Sequence, residues 1–174
     1  MKLKKFSYKV VNSTNDVAIR KIKKGFSSGI IVSDVQKKGR GQYGKKWISI
    51  KGNLFLSIFF KVNLKMSLIK FTKKNCLLIK KILSRHLKQK ITIKLPNDLL
   101  VNKEKLCGVL QETLISNNNR FVIVGIGLNI LKNPSIKGYP TTCLFKLTGK
   151  KNNKFNILNN IKNNYEKNFK YLCT

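Results

Sequence analysis

The stretch from Ile91 to Gly127 limits the fold most, because β-like segments follow one another there with only turns between them. Ile91–Leu95, Asp98–Val101 and Lys105–Ile115 read as strands, Asn117-Asn118-Asn119 marks a turn, and Phe121–Ile126 is another strand ending at Gly127. This hairpin-like succession is not a regular βαβ alternation. Upstream, Phe6–Val11, Gly29–Gln36, Trp47–Ile50 and Leu54–Val62 also read as strands, the last with Leu54, Leu56, Ile58 and Phe60 on one face. Helices are inserted among them. One opens at Ser13-Thr14-Asn15-Asp16, whose side-chain oxygens suit a helix N-cap, and runs to about Lys24. Ser67–Lys88 repeats Leu68, Phe71, Leu78, Ile82 and Leu87 at roughly helical spacing. Phe155–Leu172 places Leu158, Ile161, Tyr165, Phe169 and Leu172 on one face. The order predicts one α+β domain over residues 1–174: a mixed, largely antiparallel sheet with helices packed on one side.

Charge is the loudest compositional feature, with 37 basic and 6 acidic residues and a net +31. A cationic surface of this kind can release counterions from nucleic acid. Yet Arg20, Arg40, Arg85 and Arg120 are the only arginines, and the lysines spread along the whole chain among asparagine and isoleucine. A global drift in composition accounts for that better than a dedicated DNA surface, and no DNA partner is expected. No apolar run approaches the ~20 residues of a membrane span, and Met1–Val11 lacks the continuous apolar stretch of a signal peptide. A soluble cytoplasmic protein without a membrane partner is the expectation. Cys76, Cys107, Cys143 and Cys173 are scattered, and His86 is the only histidine, so neither a zinc cluster nor a disulfide framework is expected.

Three segments carry candidate chemistry. Gly39-Arg40-Gly41-Gln42-Tyr43-Gly44-Lys45-Lys46-Trp47 combines backbone freedom, charge and a ring that can stack. It fails the G-x-x-x-x-G-K-[ST] phosphate-loop pattern, because Lys46 stands where Ser or Thr is needed. Alone it also reads as a solvated surface loop. Lys94-Leu95-Pro96-Asn97-Asp98 is a turn, followed by Lys105-Leu106-Cys107-Gly108 and Gln111-Glu112. Three of the six acids, Asp98, Glu104 and Glu112, fall within fifteen positions, which singles out this region in a chain so poor in acids. Val124-Gly125-Ile126-Gly127-Leu128-Asn129 supplies a G-x-G, equally explained by close packing, and an amide that can read an adenine edge or cap a turn.

Taken in order, these blocks resemble the catalytic domain of biotin–protein ligases. Ser13-Thr14-Asn15 matches that family's S-T-N. Gln36 with Gly39–Trp47 matches Gln followed by G-[RK]-G-[RQ]-x-G-x-x-W, and Gly52–Ile58 matches a G-x-x-x-x-S-[IV] strand. Lys94–Asp98 matches K-W-P-N-D, Lys105–Glu112 matches K-[ILV]-x-G-[IV]-L-x-E, and Gly125–Asn129 matches G-[IL]-G-x-N. Six ordered blocks cover roughly residues 13–130.

The resemblance implies the class II synthetase-like catalytic fold of the biotin/lipoate ligases. It implies an enzyme that makes biotinyl-AMP from biotin and ATP, with Mg2+ accompanying the ATP. The biotin then passes to a lysine of the biotin carboxyl carrier protein of acetyl-CoA carboxylase. Ser13, Thr14, Asn15, Gln36, Arg40, Gly41, Gln42, Lys105 and Gly108 would bind biotin. Arg40, Trp47, Asn97, Lys105 and Asn129 would bind the nucleotide. Lys105, Arg40 and Asp98 would be catalytic, with Asp98 a candidate Mg2+ partner or base towards the acceptor amine. No cysteine nucleophile is needed. Lipoate–protein ligases share the fold and adenylate chemistry, but the G-R-G-Q, P-N-D and K-L-x-G blocks favour biotin. Leu95 stands where the family usually has Trp, which loses an aromatic wall but keeps the turn; Gln42 stands where many members have Arg, so the intermediate is expected to escape faster. With Ser13 near the start and Thr174 at the end, a ligase-only form without the DNA-binding and SH3-like domains is expected. Sheet-edge homodimers occur in the family.

Overall fold

The computed structural model describes residues 1–62 and 67–169. In chain order the elements are β1 (Lys5–Val11), α1 (Thr14–Lys23), β2 (Ser28–Gln36), β3 (Leu54–Val62), α2 (Leu68–Leu83), β4 (Ile91–Lys94), β5 (Asp98–Val101), β6 (Glu104–Ser116), β7 (Asn119–Leu128), α3 (Leu144–Thr148) and α4 (Lys154–Lys167). The strands form one seven-stranded sheet in the order β1-β2-β3-β7-β6-β5-β4. Only β1 and β2 pair in parallel, joined by the α1 crossover that such a pair requires. Every other neighbour is antiparallel.

The β4–β7 meander follows from local turn chemistry. The type I′ hairpin turn, whose twist matches the strands, needs positive φ at both central residues, which asparagine tolerates well. Asn102 (φ 50°) and Lys103 (φ 66°) join β5 to β6, and Asn117 (φ 48°) and Asn118 (φ 56°) join β6 to β7. Asn119 is therefore the first residue of β7 and not part of the turn.

The core lies on both faces of the sheet. On one face, Ile30, Val32, Leu56, Ile58 and Phe60 meet Phe71, Ile79 and Ile82 of α2 and Ile157, Ile161 and Tyr165 of α4. On the other, Ile31, Phe59, Phe121 and Ile123 meet Val17, Ala18 and Ile22 of α1. Burying each large apolar side chain contributes roughly 1.5–3 kcal/mol, so neither face could be left bare cheaply. The α+β class and the mixed sheet agree with the sequence, whereas the one-sided helix packing does not. In β3, Leu54 through Phe60 are all at 0% exposure, so the strand is covered on both sides.

Three boundaries also differ. Trp47–Ile50 is not a strand: Trp47 donates its backbone N–H to the carbonyl of Gly39 at 2.9 Å, and its ring turns onto the sheet. Helix α2 stops at Leu83, after which Arg85 and His86 make tight bonds back to Ile82 and Leu83. Leu87 still reaches the core, off the helix, which is why its spacing extended the expected helix too far. Helix α4 begins at Lys154, capped by the Asn153 side chain accepting from the N–H groups of Phe155 and Asn156. Leu158, Ile161 and Tyr165 face the core as expected, and the Leu172 expected at its end lies outside the described residues. No helix among the described residues is long and apolar enough to cross a membrane.

Candidate active site

A cavity of about 780 Å3 opens on the α1 face of the sheet. Its floor is built by three glycines, Gly108 on β6 and Gly125 and Gly127 on β7, with Gly108 opposite Gly127 in register. A Cβ on Gly127 would lie 2.4 Å from the Trp47 ring, and one on Gly108 would lie 2.8 Å from it. A Cβ on Gly125 would meet the Asn15 side-chain oxygen at 2.5 Å. The glycines are absences of side chain that let Trp47 and Asn15 lie flat against the sheet, so the G-x-G of β7 is a packing floor and not a phosphate loop.

At one end the lining is neutral and polar. Ser13 takes the N-cap position of α1 but makes no side-chain cap bond. The free N–H of Thr14 instead donates to Gln36 Oε1 at 2.8 Å, and the Thr14 hydroxyl donates to the same oxygen at 3.0 Å. Ser57 donates to the Thr14 hydroxyl (2.7 Å) and also contacts Asn15 Oδ1. Asn15 Nδ2 donates to Glu112 Oε2 at 2.6 Å. Thr14, Asn15 and Ser57 are buried, so these bonds are what make their burial tolerable.

The rest of the lining is cationic and starts beside that cluster, because Arg40 shares the Glu112 carboxylate with Asn15. Arg40 pairs with Asp16 and with both oxygens of Glu112 at 3.1 Å. Burial opposes its charge, but the bond to Asp16 and the charges of Glu112 and Asp16 outweigh this and raise the guanidinium above its ordinary value. Lys105 Nζ pairs with Asp98 Oδ1 at 2.8 Å and stands 5.2 Å from the centre of the Trp47 ring. Asp98 Oδ2 accepts from the Tyr139 hydroxyl at 2.6 Å. Exposed Lys45, Lys46, Lys94 and Lys137 line the mouth. All six Asp and Glu side chains are in ion pairs, and three of them, Asp16, Asp98 and Glu112, hold the two site cations.

Of the residues singled out from sequence, Ser13, Thr14, Asn15, Gln36, Arg40, Gly41, Gln42, Trp47, Asn97, Asp98, Lys105 and Gly108 all line this cavity. Asn129 does not. It is 1% exposed, donates to the Thr142 carbonyl at 3.0 Å, and so braces the wall behind Lys105 instead of offering its amide to an adenine. Asn97 has its amide committed to the Val109 carbonyl at 3.0 Å, which fixes the turn before β5. Asp98 Oδ1 is ion-paired with Lys105 and Oδ2 accepts from Tyr139. Among the described residues no group of three or more His, Cys, Asp or Glu could hold a metal. Cys76, Cys107 and Cys143 are free and buried; burial, then the nearby Asp98 charge, pushes the Cys76 thiol up to about 11.

The sequence marks Asp16 only as a helix-cap residue, and Ser57 and Glu112 only as members of matched blocks, with no contact assigned to any of them; Tyr139 carries no signal at all. The scarcity of acids was the usable signal for Asp16 and Glu112. Another omission was Asn53, fully buried, whose Oδ1 accepts the N–H groups of Ile130, Leu131 and Lys132 and so anchors the loop after β7.

Comparison with known proteins bears on this arrangement directly. The Biotin/lipoate A/B protein ligase family model matches residues 7–129. The chain belongs to the biotin/lipoate A/B protein ligase family. It is 30% identical over 129 residues to the bifunctional ligase/repressor BirA of Escherichia coli, covering 70% of this chain and 39% of that protein. It is 31% identical over 145 residues to biotin–protein ligase 2 of Arabidopsis thaliana, covering 77% and 41%. The chain thus spans about two fifths of the length of these curated relatives. It superposes on the Aquifex aeolicus biotin protein ligase in complex with biotin and ATP with a TM-score of 0.80 and 28% identity, covering 98% of this chain and 72% of that one. In this family member the matched span ends at Asn129, so Tyr139 and its loop lie beyond it.

Proposed function

We propose that the chain is a biotin–protein ligase: it joins biotin to AMP at the expense of ATP and passes the biotinyl group to a lysine of an acceptor protein. The observation that carries this reading is one cavity in which a buried, neutral polar cluster adjoins a cationic lining. Buried Thr14, Asn15 and Gln36 suit the few polar atoms of a mostly apolar ligand, which need partners once they leave water. Lys105 and Arg40 suit the carboxylate and α-phosphate, and Trp47 a flat base. The neighbouring complex with biotin and ATP supports the same pairing of ligands.

In the first half-reaction a biotin carboxylate oxygen attacks the α-phosphorus, the bond to the β-phosphate bridge breaks, and pyrophosphate leaves. In the second, the acceptor amine attacks the carbonyl of the mixed anhydride, loses a proton to solvent and expels AMP. Alignment of the reactants and neutralisation of phosphate charge by Lys105 and Arg40 supply the catalysis. A Mg2+ entering on ATP belongs to the substrate. The carboxyl carrier subunit of acetyl-CoA carboxylase is the proposed acceptor, and the exposed lysines at the mouth suit an acidic surface.

Biotin-dependent exchange of radioactive pyrophosphate into ATP tests the reading. Exchange with biotin, abolished by Lys105→Ala, is the expected result. Exchange with lipoate alone would transfer the assignment to the lipoate branch, and no exchange with either would remove the activity.

A further inference from the structure

Lys105 is held from two directions by one loop. Its backbone N–H donates to the Pro140 carbonyl at 2.9 Å, and its carbonyl accepts from the Thr142 N–H at 2.9 Å, so residues 140–142 lie alongside it like a short parallel strand. Tyr139, the residue before Pro140, reaches past the lysine and donates its hydroxyl to Asp98 Oδ2 at 2.6 Å. Asp98 Oδ1 then faces Lys105 Nζ at 2.8 Å. The Tyr139 ring lies 5.5 Å from Lys105 Nζ and 4.6 Å from Lys94 Nζ. Burial, then the Asp98 bond and charge, keeps the phenol protonated far above its ordinary range, so it serves as a donor throughout any working pH.

Among the described residues, the Tyr139 hydroxyl is the partner of Asp98 Oδ2. Without the phenol that oxygen would stand unpaired in a half-buried site, and the carboxylate would be free to turn away from the lysine. The ion pair matters because Lys105 must be presented at one place, in one direction, when an anionic reacting group arrives.

We propose that Tyr139 is a positioning residue, fixing Lys105 through Asp98 for the reaction proposed above. It touches the lysine's counter-ion, not the reacting atoms. The loop's other bonds set the lysine backbone, and Tyr139 sets its side chain. The inference rests on the ligase reading for its kinetic consequence but not for its structural one.

Tyr139→Phe removes only the hydroxyl and keeps the ring, and two measurements decide the matter. The first is the rate of acetylation of the Lys105 amine by acetic anhydride, mapped by mass spectrometry with Lys94 as the internal reference. The second is pyrophosphate exchange, resolved into kcat and the KM for biotin. Losing one such bond should speed Lys105 acetylation relative to Lys94 and lower kcat, each by about tenfold, with biotin KM and thermal midpoint unchanged. In an Asp98→Asn background the same change should add no further loss, as expected for two residues acting as one unit. Unchanged Lys105 acetylation overturns the positioning role whatever the kinetics, and additive losses overturn its route through Asp98. Altered acetylation with unchanged kcat overturns its part in the reaction. If the parent protein shows no exchange with biotin, the ligase reading fails, while the acetylation comparison still decides the tyrosine.

Discussion

Glu112 binds Arg40 and Asn15 at once: both its oxygens accept from Arg40 Nη2 at 3.1 Å, and Oε2 also accepts from Asn15 Nδ2 at 2.6 Å. One carboxylate on β6 therefore ties the glycine-rich loop to the start of α1. Glu112→Ala leaves the buried Asn15 amide without its acceptor and Arg40 with Asp16 alone. The Arg40 pair is one-third exposed and screened by solvent, so the loss comes mainly from Asn15, about 1–2 kcal/mol. Urea unfolding should report that loss, and trypsin should cut faster within residues 37–46. Glu112→Gln keeps an acceptor for Asn15 and should recover much of the stability without restoring the trypsin resistance.

Trp47 is the only tryptophan, and it lies against Gly127 and Gly108. Gly127→Ala would put a methyl carbon 2.4 Å from the ring, so the ring must leave its seat. The intrinsic fluorescence should shift and become more accessible to quencher. If the ring supports a nucleotide base, ATP affinity should fall by about tenfold or more, the scale of a lost stacking contact. An unchanged spectrum would show that the floor does not need to be bare.

Much of this fold is legible in the sequence because its signals are local. The β4–β7 meander is written in short strands separated by asparagine turns, and most residues around the cavity fall in ordered blocks from Ser13 to Gly127. What escaped depends on contacts distant along the chain. The apolar stripe of α1 is Val17, Ala18 and Ile22 with a half-buried Ile19, too narrow to reveal that it caps the second face of the sheet. Trp47–Ile50 has strand-like residues, yet β2 already has β1 and β3 on its two sides and offers no edge. Asn129 looks like a ligand-binding amide until Thr142, thirteen residues on, claims it. Tyr139 meets Asp98 across 41 residues, and nothing in Lys137-Gly138-Tyr139-Pro140 announces that meeting.

His86, the only histidine, gives a clean pH test. Burial first, and then the neighbouring charge of Arg85, lower its pKa below the ordinary imidazole value of 6.5. The folded protein therefore binds this proton more weakly than the unfolded chain does. Its contribution to stability is intact above the unfolded value and is lost as pH falls towards the lowered folded one. Urea midpoints should drop as pH falls below neutrality, and His86→Gln should flatten that part of the curve. A ring proton resonance titrating at or above 6.5 in the folded protein would contradict the assignment.

Gln42 opens the single 3-10 turn of the glycine-rich loop and lines the cavity beside Arg40. The loop is braced there by the Gly41 N–H donating to the Lys45 carbonyl at 2.6 Å and the Lys45 N–H donating to the Gln42 carbonyl at 3.1 Å. A side chain at this position can therefore change without unmaking the turn. A neutral amide offers an anionic adenylate less than a guanidinium would, since hydrogen bonds to charged groups are worth about 1.5–3 kcal/mol against roughly 1 for neutral ones. On the ligase reading, Gln42→Arg should slow release of the biotinyl-adenylate by roughly tenfold, with little change in the unfolding midpoint. The release rate can be followed by trapping preformed intermediate with excess unlabelled ligand. Equal rates for the two proteins would mean that the loop retains the intermediate through its backbone and Arg40, and that the glutamine carries no deficit.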